Sequence, residues 1–229
     1  MESVASNLRA IRREIEAACL KAGRDPGSVR LVAVSKTKQA SLVREAFDAG
    51  QIVFGESYVQ EFLQKHDDPL LDGLPLQWHF VGHLQSNKIR MIIGKVALIH
   101  GIDKISTAEE LSRIAVRENF HAEYLLEVNT SGEASKYGMH PGEVLPSFMA
   151  LHRLPNITLR GLMTIASPEP ESARQEFRAL RKLLGELKTI SPEPDSLTEL
   201  SMGMSGDFEE AIAEGATMIR VGTAIFGWR

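Results

Sequence analysis

After a leading helical pattern, short apolar runs alternate with amphipathic stretches along the whole of this 229-residue chain. The strand-like runs are Leu31 to Ser35, Ile52 to Gly55, Gln77 to Gly82, Val96 to His100, Tyr124 to Asn129, Leu159 to Ile165, Glu199 to Met202 and Met218 to Val221. Between them lie stretches of helical periodicity such as Ser41 to Ala49, Tyr58 to Lys65, Ala108 to Asn119, Glu171 to Lys188 and Phe208 to Ala213. Such alternation predicts a parallel sheet joined by right-handed crossovers. Eight units in about 200 residues predict an α/β protein of the (β/α)8 TIM-type barrel class, near the lower size limit of that fold. An open doubly wound sheet is the alternative, but no G-x-G-x-x-G follows the first strand to support it.

The leading pattern places Leu8, Ile11, Ile15, Ala18 and Cys19 at helical spacing, so the barrel is expected to carry an additional N-terminal helix ending near Gly23. Asp25-Pro26-Gly27 then reads as a turn. Thr107 with Glu110, Ser57 with Gln60 and Asp207 with Glu210 resemble capping boxes. No Gly/Ser-rich linker divides the sequence, which predicts one domain over residues 1–229. A net charge of −4 argues against a nucleic-acid binder, and no run approaches the length of a membrane span. Cys19 is the single cysteine, which excludes an internal disulfide and a cysteine-cluster metal site. With no secretory h-region at the N-terminus, a cytoplasmic location is expected.

In a barrel, function gathers at the C-terminal ends of the strands. The first strand ends in Ser35-Lys36-Thr37-Lys38, and a lysine at such a mouth is a candidate Schiff-base former. Burial or a nearby cation would raise the neutral fraction of its amine. The same face collects Ser57, His83, Lys136 and Met163. His79 and His83 are four apart on a strand-to-loop segment, where that spacing does not converge on one metal. After the seventh and eighth strands come Gly203, Ser205, Gly206, Gly222 and Thr223, small or hydroxyl residues where barrels frequently bind phosphate. Loop glycines are ordinarily turn glycines, Asp207 an N-cap and Arg220 an ion-pairing residue. Together, a lysine at one strand end and a phosphate-shaped pocket at two others match the two handles of pyridoxal phosphate.

Longer motifs carry a resemblance. Val34-Ser35-Lys36-Thr37-Lys38, Phe54-Gly55-Glu56, Trp78-His79-Phe80-Val81-Gly82-His83, Lys136-Tyr137-Gly138-Met139, Ser201-Met202-Gly203-Met204-Ser205 and Arg220-Val221-Gly222-Thr223 stand in order along the chain. In these the sequence resembles the pyridoxal phosphate homeostasis proteins, single-domain relatives of the alanine racemase barrel. The resemblance implies pyridoxal 5'-phosphate as cofactor, held as an aldimine on Lys36. It implies phosphate contacts from Ser205, Gly206, Gly222 and Thr223, with Arg220 facing the pyridine nitrogen. Ser57 stands where the family commonly has asparagine, and its shorter side chain lacks the amide's paired donor and acceptor.

An arginine at the ring nitrogen disfavours its protonation, so the cofactor would be a weak electron sink. Racemisation also needs a second base on the opposite face. In the related racemases that base is a tyrosine from a second domain, for which nothing follows Trp228-Arg229 here; Tyr137 is on the site face without an evident ordered position. These points favour a binding protein that stores or delivers pyridoxal phosphate, monomeric and not an enzyme, with apoenzymes as recipients. The alternatives are a racemase-like enzyme of low activity and a cofactor-free lysine aldolase. Lys38 and Lys136 are candidates to accept the aldehyde during release, or simply to attract the phosphate.

Overall fold

The computed structural model describes residues 3–228. Eight parallel strands close into a barrel in sequence order, β1 (Arg30–Val34), β2 (Val53–Glu56), β3 (Gln77–Phe80), β4 (Leu98–Ile102), β5 (Ala122–Glu127), β6 (Ile157–Met163), β7 (Glu199–Ser201) and β8 (Met218–Val221). β1 pairs with β2 through Ala33 and Phe54, and with β8 through Val32 and Arg220, which seals the ring. The open-sheet alternative is thereby set aside.

Helix α1 (Val4–Lys21) turns Val4, Leu8, Ile11, Ile15, Ala18 and Cys19 inward, as the spacing requires. Its Asn7 side-chain amide donates to the Ile225 carbonyl at 2.9 Å, fastening it over the seam between β8 and β1. The crossover helices are α2 (Ala40–Asp48), α3 (Val59–His66), α4 (Ile89–Ile92), α5 (Ile105–Glu118), α6 (Pro141–His152), α7 (Pro170–Ile190) and α8 (Phe208–Ala213), followed by a last turn α9 (Thr223–Phe226).

Two apolar layers result. Between strands and helices lies a large core that includes Phe54, Phe62, Tyr124 and Phe177, all fully buried. Inside the barrel, Val32, Val53, Val81, Leu98, Leu125, Met163 and Met218 form a smaller cluster. β7 contributes none of these, and its Ser201 hydroxyl meets His100 and Arg220 inside the barrel. Polar groups therefore enter the axis beside β7.

The expected capping boxes do not form. Thr107 lies inside α5 and is buried, Ser57 precedes the first residue of α3 by two positions, and neither side chain caps its helix. Asp207 does precede α8, but its carboxylate turns back to accept the Met204 N–H at 2.6 Å. The strand expected at Val96 to His100 runs instead over Leu98–Ile102, and its register with β5 shifts between Ile99 and Ile102.

Candidate functional site

The loops after β1, β2, β7 and β8 surround a cavity of about 540 Å3 at the C-terminal mouth. That volume is in the usual range of small-molecule pockets, roughly 300–1,000 Å3. Lys36 and Lys38 reach it from β1, Ser57 from β2, Ser205 and Gly206 from β7, and Arg220, Gly222 and Thr223 from β8. A more open groove of about 630 Å3 adjoins it between α2 and α3, lined by Thr37, Glu61 and Gln64 but not by Lys36 or Arg220.

Lys36 is exposed rather than buried, because β1 ends at Val34 and only Ser35 remains in the core. The main chain on either side of it is unusually constrained. Ser35 donates its hydroxyl to Glu56 Oε1 at 2.6 Å, and Lys65 of α3 donates to the Ser35 carbonyl at 2.6 Å while pairing with Glu56. Thr37 has φ of +64°, a left-handed conformation that β-branched residues rarely adopt, and its N–H donates to Glu61 Oε2 at 2.7 Å. Burial pushes the Glu56 carboxyl above its ordinary range, against the opposing pull of the Lys65 ammonium and the Ser35 hydroxyl. Its second oxygen, Oε2, has no hydrogen-bond partner among the described residues.

Across the cavity the chain offers main-chain donors. Asp207 N–H closes a turn on the Met204 carbonyl at 3.2 Å, leaving Ser205 and Gly206 as its central amides. α9 begins at Thr223, and its first amides to reach back are Ile225 and Phe226, both to the Gly222 carbonyl. The amides of Thr223 and Ala224 consequently have no preceding turn to bond. Glycine is needed on both loops. At Gly203 φ is +92° and a Cβ would come within 2.5 Å of the Ala211 Cβ, while at Gly222 it would meet the Val34 carbonyl at 3.0 Å.

Arg220 belongs to a buried chain of polar groups through the barrel. Its Nη2 donates to the Thr164 carbonyl at 2.8 Å and its Nη1 to Ser201 Oγ at 2.7 Å. Ser201 Oγ lies 2.8 Å from His100 Nδ1, and His100 Nε2 lies 3.0 Å from His79 Nδ1. A guanidinium only donates, so Ser201 Oγ accepts from Arg220; when the Ser201 hydroxyl donates to His100 Nδ1, His100 carries its proton on Nε2 and donates it to His79 Nδ1. Burial lowers His79 to about 3 and His100 well below its ordinary value, so both rings are neutral. Burial also lowers Arg220 to about 10, partly offset by Glu127 and Asp207, which leaves it cationic at neutral pH. This chain escaped sequence reading because His79, His100 and Ser201 each stand in a strand pattern.

Two residues expected at the site lie outside the cavity lining. His83 sits 3.6 Å from Asp103 and stacks on the exposed Tyr137 with centroids 3.9 Å apart. Met163 is buried in the interior apolar cluster. Lys136 also points elsewhere, pairing with Glu133 at 2.7 Å. Lys38 lines the cavity but donates to the carbonyls of Gly227 and Trp228, each at 2.9 Å.

A closed parallel barrel with a lysine after its first strand and an amide-rich cradle after its last two is a barrel of the alanine racemase N-terminal type, and residues 6–229 match the family model described as alanine racemase, N-terminal domain. Over 231 residues the chain is 46% identical to the pyridoxal phosphate homeostasis protein of Pseudomonas aeruginosa, covering all of this chain and 97% of that protein. The corresponding protein of Aquifex aeolicus is 42% identical over 224 residues, covering 97% and 96%. The structure of PipY from Synechococcus elongatus with PLP bound superposes with a TM-score of 0.86 at 38% identity, covering 98% of this chain and all of that one. The chain belongs to the family of pyridoxal phosphate homeostasis proteins.

Proposed function

We propose that this protein binds pyridoxal 5'-phosphate through Lys36 and serves in the cytoplasm as a monomeric store or donor of the cofactor for apoenzymes, without efficient catalysis of its own. When bound, pyridoxal phosphate offers an aldehyde to a lysine amine and a phosphate to an anion cradle. The observation that carries the reading is that one cavity is lined by Lys36, by the turn at Ser205 and Gly206, by Gly222 and Thr223, and by Arg220. Lys36 supplies the amine, the loop amides and hydroxyls take the phosphate, and Arg220 is the cation available to the ring nitrogen. Ser57 lines the same cavity with a single hydroxyl. A ring nitrogen facing a guanidinium resists protonation, which weakens the carbanion stabilisation that most pyridoxal enzymes use.

Titration with pyridoxal phosphate tests this directly. The native protein is expected to gain the visible absorption of a lysine-bound aldehyde, and Lys36→Ala to lose that band yet keep measurable noncovalent affinity. Several charge-assisted phosphate bonds, about 1.5–3 kcal/mol each, outweigh a labile C=N bond in retention. The Ser205→Ala/Thr223→Ala double variant should therefore bind more weakly than Lys36→Ala; equal affinities would make the C=N bond the main anchor. A native protein that gains no band sinks the cofactor reading. Exchange at the α-carbon of L-amino acids, if raised by orders of magnitude over free cofactor, would favour a racemase-like enzyme instead.

A further inference from the structure

We infer that Glu61 and Lys65, one turn apart on α3, are positioning residues that fix the direction in which the Lys36 side chain leaves the main chain by gripping the two peptide groups that flank it. The inference rests on Lys36 being the cofactor lysine. Lys65 Nζ holds the carbonyl of the peptide before Lys36, donating to Ser35 O at 2.6 Å. Glu61 Oε2 holds the amide of the peptide after it, accepting from Thr37 N–H at 2.7 Å. With both neighbouring peptide planes tied to α3, and the Lys38 N–H closing a turn onto the same Ser35 carbonyl at 3.0 Å, φ and ψ of Lys36 have little freedom, although its side chain is exposed.

Each grip is independently built. Lys65 is 5% exposed and Glu56 fully buried, so the ammonium is placed in the core with its counter-ion rather than left on the helix surface. At Thr37 the backbone is held at φ of +64°, uphill for a β-branched residue. Such a conformation persists where surrounding contacts over-determine it, and the Glu61 carboxylate is the contact made to that amide. Such constraints cluster at sites where pre-organisation matters.

The step served is condensation of the amine with an aldehyde. After the Lys36 ammonium releases one proton to solvent, its nitrogen lone pair attacks the aldehyde carbon, a C=N bond forms, and the aldehyde oxygen leaves as water carrying the two remaining nitrogen protons. The rate depends on the amine being presented to a cofactor held at the opposite wall, and small misplacements of reacting groups are costly.

The test measures the rate of band formation on adding pyridoxal phosphate, with borohydride reduction and peptide mass mapping to place the adduct. Glu61 is only partly buried, so its variants are expected to fold with a melting temperature close to the parent's. Glu61→Ala should slow band formation at Lys36 roughly tenfold or more. Glu61→Gln keeps an acceptor oxygen without the charge and should restore most of the rate. Adding Thr37→Gly to Glu61→Ala should recover part of it, because glycine holds a positive φ without strain. Equal rates for Glu61→Ala and the parent would overturn the inference. So would a Glu61→Gln variant as slow as Glu61→Ala, which would mean that the carboxylate acts through its charge. Absence of the band in the parent, or its survival in Lys36→Ala, would instead count against the cofactor reading itself.

Discussion

Two cations face the same cavity, and the protein holds them by opposite means. Arg220 is held by its side chain: the residue is 5% exposed, and Nη1 and Nη2 of its guanidinium donate to Ser201 and Thr164. Lys36 is held by its main chain: the peptides on either side are tied to α3, and the side chain is left exposed. The difference follows from what each group has to do. A recognition cation gains from immobility, since every bond made in advance is ordering not lost on binding. An amine that must form a bond cannot be tied up by hydrogen bonds at its nitrogen, so its aim has to come from the backbone. The two supports also differ in electrical character, one resting on neutral rings and a hydroxyl, the other on a buried ion pair.

The largest effect is expected where the buried cation is removed. Arg220→Met would leave Ser201 Oγ and the Thr164 carbonyl each short of a donor in the barrel interior. Buried groups left unsatisfied cost about 1–3 kcal/mol each, so a loss of about 3 kcal/mol in urea unfolding is expected. A loss below about 1 kcal/mol would mean that the chain through His100 is not held by Arg220. Glu127 supplies a second readout. Burial raises its carboxyl to about 7 against the lowering effect of Arg220, so removal of the guanidinium should raise it further, seen by NMR titration of that side chain.

A smaller effect concerns the far end of the same chain. His79 is lowered to about 3 by burial, whereas an unfolded histidine titrates near 6.5. Below about pH 6.5 the unfolded chain therefore binds a proton that the native chain refuses, and stability is lost as pH falls toward 3. Between pH 6.5 and 5 this amounts to about 2 kcal/mol for His79. His100 acts in the same direction. Glu56, Glu127 and Asp207, all raised chiefly by burial, act in the opposite one, because the native state binds their protons more readily. The clean comparison is thus variant against parent: His79→Gln should lose less stability than the parent between pH 7 and 5. Identical losses would contradict a buried neutral ring.

How far each support could be read from sequence tracks its periodicity. All eight strands were legible because apolar runs and turns repeat with little interruption, and the lysine after the first of them marked the mouth. α4 and α9 carried no visible pattern, being single turns, and α6 was obscured by Pro146 within it. The residues around the cavity were legible where loop chemistry was distinctive, as at Ser205 and Gly222. His83 and Met163 lie outside the cavity lining, and a position near a strand end does not say which way the side chain points. The two supports were invisible for different reasons. His79, His100 and Ser201 read as ordinary strand residues. Glu61 and Lys65 fall within the helical stretch Tyr58 to Lys65 with no chemistry of their own to mark them, though Lys65 shares a face with Phe62, a position that would have signalled burial.

The smallest effect sets Lys36 against its neighbour Lys38, which is held as Arg220 is. Lys38 Nζ donates to the carbonyls of Gly227 and Trp228, both at 2.9 Å, and so fastens the end of the chain beside the cavity. Those bonds are near the surface, where water competes for each partner. Lys38→Met should therefore cost about 1 kcal/mol or less in urea unfolding. If main-chain support is what prepares Lys36, this substitution should leave the rate of band formation and the borohydride-trapped position at Lys36 unchanged. A rate that falls as far as in Glu61→Ala would place the control of Lys36 in the Lys38 contact to the chain end, and the contrast between the two lysines would have to be abandoned.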